Sequence, residues 1–140
     1  MFIQRTSGRV SVWYVAFSPR VPSPFWNWAI PGHWKHVCAF GHCESAGTWI
    51  FIDPDGKGTK VAVVPDHEAP KYISDAAAEG AVLRISAREL PGPHMRIIGC
   101  CTMTVRHLVG LPGRGLLSAV PDRLFADCLR AGAEVFYPRP

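Results

Sequence analysis

The chain has 140 residues, 48% of them hydrophobic and 19% charged, which suits one buried core and excludes a disordered polyelectrolyte. Its formal charge of +4 comes from fifteen Lys and Arg that are scattered and not gathered in a block, so it reads as a solubilising surface and nucleic acid is not an expected partner. Five cysteines, an odd number, fit free thiols in a reducing compartment better than a disulfide framework.

The opening "MFIQRTSGRVSVWYVAFSPR" lacks a basic leader, a long apolar core and a small-residue cleavage site, so the expectation is a cytoplasmic chain with no signal peptide. Its apolar run, Val10 to Phe17, is too short to span a bilayer. It reads as a strand with apolar residues on both faces, hence central or sandwiched. "SPRVPSPFWNWAIPG" follows as an irregular loop, because its four prolines forbid a regular ladder. Phe25, Trp26 and Trp28 in that loop either fold back onto the core or line a cleft.

"HVCAFG" and "TWIFIDP" are β-rich runs joined by "HCESAG", a hairpin by length and composition. "DPDGKG" is a turn cluster, and "KVAVVP" and "AVLRISA" are further strands. Between these two, "SDAAAEG" is expected to form a short helix capped by Ser74 and stopped by Gly80. In the last third, Cys101, Val105, Leu108 and Val109 recur at helical spacing up to Gly110. Val120, Leu124, Phe125, Cys128 and Leu129 form a second helical stripe after Ser118, with Gly132 as its C-terminal cap. A short strand, "AEVFY", closes the pattern. The order, β-rich first and helical later, predicts a single α+β domain over 1–140, an antiparallel sheet or small barrel packed against two C-terminal helices.

Closing the hairpin at Gly41 and Thr48 sets Phe40 opposite Trp49, Cys38 opposite Phe51 and His36 opposite Asp53. Side chains alternate between faces, so His36, Cys38 and Phe40 share a face with Trp49, Phe51 and Asp53. A slip of one residue would separate His36 from Asp53. An imidazole beside a carboxylate is held in one tautomer and carries positive charge more easily, as a general base requires.

In "IIGCCTMTVRHLVGL" two cysteines precede or open the first late helix. A thiol there meets unsatisfied N–H groups and the positive end of the helix dipole, and both favour the nucleophilic thiolate. Counting four, seven and eight residues from Cys101 gives Val105, Leu108 and Val109, whereas Cys100 leads to Thr104, His107 and Leu108. Cys101 therefore lies on the packing face and is the better nucleophile candidate; its ordinary alternative is a small residue filling a helix–sheet seam.

The segment "CTMTVRHLVGLPG" resembles the nucleophile helix of papain-like NlpC-type cysteine hydrolases, with "HWKHV" ahead of it in the order of their circularly permuted branch. The resemblance covers Gly32 to Asp53 and Gly99 to about Leu129. It implies a permuted papain-like fold with no cofactor, with Cys101 as nucleophile, His36 as its base and Asp53 as the orienting acceptor. Glu44 or His42 takes the third role if the register differs. The resemblance further implies cleavage of an amide, ester or thioester bond, with a peptide-like or cell-wall link as substrate and Trp26, Trp28 and Trp34 lining the groove.

Two rival readings accompany it. His33, His36, Cys38, His42 and Cys43 supply enough nitrogen and sulfur for a small zinc domain, although the spacing lacks the paired knuckles of zinc fingers and no H-E-x-x-H helix is present. The chain also suits a virion- or tail-associated interaction module with virion proteins as partners, with or without activity.

Overall fold

In the computed structural model, residues 9–21, 28–55, 58–78, 80–88, 100–113 and 116–138 are described. Six strands form one open antiparallel sheet in the order β4-β3-β2-β1-β5-β6: β1 Val12–Ser18, β2 His36–Cys43, β3 Thr48–Asp55, β4 Gly58–Pro65, β5 Ala81–Ser86 and β6 Glu134–Tyr137. Three helices accompany it, α1 Ala69–Ala77, α2 Cys101–Val109 and α3 Pro121–Arg130. The sheet is open, so of the two forms expected from the sequence the barrel is absent among the described residues.

The apolar pattern of β1 explains its place. Trp13, Val15 and Phe17 point to one face, where they join Val37, Ala39, Leu83 and Ile85 under Val105, Val109, Leu124 and Cys128 of α2 and α3. Ala16 points to the other face and packs with Phe40 and Val82 beneath Ile73, Ala76 and Ala77 of α1. A strand covered on both faces has no polar side to present, which is why its alternation is lost. The short helix expected to be capped by Ser74 is α1, but it begins earlier, at Ala69 after the N-cap Glu68, and Ser74 lies inside it; Pro70 fits the first turn, where its missing N–H costs nothing. Ser118 lies in a 3-10 turn, Leu116–Ala119, and α3 is instead opened by Pro121.

The hairpin register differs from the expected one by two residues. Phe40 pairs with Phe51, His42 with Trp49 and Cys43 with Thr48. The loop is shorter than expected: Glu44–Ala46 make one 3-10 turn, and Gly47 reverses the chain at φ 61°, where a Cβ would be strained. A two-residue shift preserves the parity of side chains, so His36 and Asp53 stay on one face and meet diagonally.

The β2–β3 ladder ends at Ala39 and Ile52. Beyond it, residues 36–38 pair with β1 (Ser18 with His36, Phe17 with Val37), and residues 53–55 pair with β4 (Asp53 with Lys60, Pro54 with Thr59). Continuing the register would set Val37 against Pro54, which has no N–H to donate. The two strands therefore fork, and the fork opens at the end of the sheet that carries His36 and Asp53.

Candidate active site

Helix α2 starts at this fork. Cys100 is its N-cap in extended conformation (φ −124°, ψ 152°), Cys101 is its first residue, and Val105 and Val109 bury the same helix face against the sheet. The Cys101 thiol is half-buried and hydrogen-bonds the His36 ring, the backbone N–H of Val37 and the Thr102 hydroxyl. The last of these is long, Sγ to Oγ1 3.9 Å. On its other side the His36 ring meets the Asp53 carboxylate, Nε2 to Oδ1 2.6 Å, slightly shorter than the usual charge-assisted N–H···O bond. With Nε2 on the carboxylate, Nδ1 is the nitrogen left for the sulfur.

Burial opposes charge on both partners, but their contacts outweigh it. Desolvation alone would lower the His36 pKa; the hydrogen bonds to Asp53 and Cys101 and their negative charges push it up to about 10. Desolvation alone would raise the Cys101 pKa; the His36 ring, its positive charge and the Val37 N–H bring it below the ordinary thiol value. Both displacements favour the same arrangement, a thiolate facing an imidazolium, which is the state in which a cysteine is nucleophilic.

The neighbouring sulfurs differ. Burial and the adjacent Cys101 hold the Cys100 pKa above the ordinary value, against the opposing pull of the nearby Thr102 and Met103 N–H groups. Cys100 opens α2 through its backbone, its carbonyl accepting the Thr104 N–H at 3.2 Å, with no side-chain cap bond. Cys38 is pushed up to about 12 by burial and by the negative charges of Asp53 and Cys101. Cys38, Cys100 and Cys128 are all displaced upward, and Cys101 moves the opposite way.

The structure brings Cys101, His36 and Asp53 together. It does not bring Glu44 or His42 to them: Glu44 is in the turn at the far end of β2, and His42 bonds Asp66 there, Nε2 to Oδ1 2.9 Å, against the Trp49 ring. Trp34 is half-buried between Phe17 and Phe125, at centroid distances of 5.9 and 5.6 Å. Trp28 is 83% exposed, and Trp26 lies outside the described residues. The zinc set is dispersed, since His36 and His42 stand at opposite ends of β2, each on its own carboxylate. Among the described residues no three His, Cys, Asp or Glu side chains converge on a common metal position.

Three contributors went unread in the sequence. The Val37 N–H was signalled by Pro54, whose missing donor ends the ladder, but only once the true register is known. The Thr102 hydroxyl had no signal beyond adjacency. Asp122, which holds the chain just ahead of His36, sits 88 residues from Trp34 and carried none. Among the described residues no helix is long and apolar enough to cross a membrane. No family model, curated protein or solved structure matches the chain.

Proposed function

We propose that the protein is a cysteine hydrolase of permuted papain-like arrangement that cleaves an amide or ester bond in a peptide-like substrate, such as a cell-wall peptide link. The observation that carries this reading is the environment of Cys101: a sulfur at the start of a helix, paired with an imidazole that is itself held by a carboxylate.

The Cys101 thiolate attacks the substrate carbonyl carbon, and the carbonyl electron pair moves to oxygen. The Cys101 backbone N–H, at the first position of α2, is one donor for that oxyanion. As the tetrahedral species collapses, the C–N or C–O bond breaks and the leaving amine or alcohol takes the His36 proton, giving a thioester and neutral imidazole. His36 then removes a proton from water, the hydroxide attacks the thioester, and the acid product leaves as Cys101 thiolate and His36 imidazolium are restored. Asp53 keeps the ring oriented throughout and stabilises its charged form.

One observation favours a non-catalytic interaction module of a larger assembly such as a virion. β4 lies at one edge of the described sheet and leaves Val61 and Val63 exposed at 62% and 65%. Iodoacetamide labelling at pH 6.5, read by peptide mass mapping, separates the two. The hydrolase reading requires Cys101 to be modified well before Cys38, Cys43, Cys100 and Cys128; equal and slow labelling of all five refutes it.

A further inference from the structure

We infer that α3 positions the Cys–His pair, holding the cysteine helix through Asp127 and the approach to the histidine strand through Asp122. The inference rests on the hydrolase reading above.

Asp127 accepts from Arg106 of α2 at 2.8 Å, and Arg106 is only 2% exposed. The same guanidinium donates to the carbonyl of Ser118 at 2.7 Å and to that of Pro112 at 3.4 Å, so it fixes α2 to the segment leading into α3. Arg106 stands five residues beyond Cys101 on the same helix, and its anchorage sets the rotation and depth at which α2 delivers the sulfur.

The other end of α3 acts on the histidine. Asp122 lies in the first turn, where an acidic side chain usually serves the N–H groups of its own helix. Here its two oxygens accept the backbone N–H groups of His33, at 2.9 Å, and Trp34, at 2.7 Å. Gly32 makes this approach feasible: it has φ 90°, and a Cβ there would lie 2.2 Å from an Asp122 oxygen. The fixed path continues without a break into the site. The Trp34 ring packs on Phe125 of α3, the Lys35 N–H donates to the Ser18 carbonyl at 2.8 Å, and His36 then pairs with Ser18.

Asp122 is therefore a positioning residue that works through the backbone of residues 33–35. The titratable groups that bear on the pair itself are Asp53 from β3, Cys38 from β2 and Cys100 beside Cys101. A geometric role has a signature that a merely structural one lacks: loosening the loop should weaken the His36–Cys101 contact and raise the pH at which Cys101 becomes thiolate.

The test is the rate of iodoacetamide labelling at Cys101 against pH, in the full chain and in Asp122→Ala and Asp122→Asn, with thermal melting followed in parallel. The expected result for Asp122→Ala is an acid limb displaced upward by about one pH unit, labelling about tenfold slower at pH 6. Asp122→Asn, which keeps one acceptor oxygen, should fall between it and the parent. A lower melting temperature with a labelling profile superimposable on the parent would overturn the inference. If Asp122→Ala does not fold, Asp122→Asn and Gly32→Ala decide it by the same criterion. A parent chain whose Cys101 titrates as an ordinary thiol would refute the hydrolase reading itself, an outcome distinct from an unmoved variant profile.

Discussion

Replacing Asp53 by Asn keeps the shape of the side chain and removes its charge from the His36 ring. Two facts set the size of the effect. The bond is short, 2.6 Å, while the Asp53 side chain is half exposed (50%) and His36 less so (24%). An opposite charge at this distance displaces a titration by about 1–3 pH units, and solvent screening at a half-exposed carboxylate selects the lower part, about 1–2. Its contacts push the His36 pKa up to about 10 from the ordinary 6.5, so imidazolium should be held through neutrality and lost as pH rises through about 10. In Asp53→Asn that loss should move to about 8–9, and at pH 9 the protonated fraction should fall from about nine-tenths to about a half or less. Imidazole NMR titration reads both numbers directly. The stability from this raised pKa is fully present below about 6.5 and disappears as pH climbs through about 10, so the melting temperatures of the two proteins should converge across that window. A parent His36 that titrates near 6.5, or one whose midpoint is unmoved by Asp53→Asn, would refute the electrostatic account of the pair.

Cys101→Ala should abolish hydrolysis while leaving the circular dichroism spectrum and cooperative melting essentially as in the parent, because only a half-buried sulfur is lost; full activity on an identified substrate would remove Cys101 from the mechanism. Asp127→Ala should cost about 3–5 kcal/mol in chemical denaturation, since it strands the buried Arg106 charge and also frees the paired Arg123 and Arg130; a loss under about 1 kcal/mol would show that Arg106 is satisfied without it. Cys128, fully buried and pushed up to about 12 by burial, should resist iodoacetamide at neutral pH until denaturant is added, and labelling of Cys128 in the native protein would contradict the packing of α3 on the sheet.

The parts of the fold that were legible in the sequence are those set by a repeating local rule. The double-sided apolar run of β1 announced a central strand, and the stripes beginning at Cys101 and Val120 announced two helices with glycine after each. Counting from Cys101 and from Cys100 along the helical period separated the two sulfurs because the choice depends only on that period. The shared face of His36 and Asp53 survived a wrong register because strand parity repeats every two residues. What was not legible depended on contacts between distant segments. The true hairpin register turned on whether "ESAG" folds as a tight 3-10 turn, a choice that several sequences of that composition leave open. Trp34 reads equally well as a groove wall or as packing until Phe17 and Phe125 are placed beside it, and Asp122 has no local signal at all, since its partners belong to another part of the chain.

The fork between β2 and β3 has a mechanical consequence. His36 pairs with Ser18 of β1 and Asp53 with Lys60 of β4, so at this end of the sheet the two strands are joined across the gap by the His36–Asp53 side-chain bond. One side-chain bond thus does two jobs, orienting the ring and closing the sheet at the end where the backbone ladder between β2 and β3 has stopped.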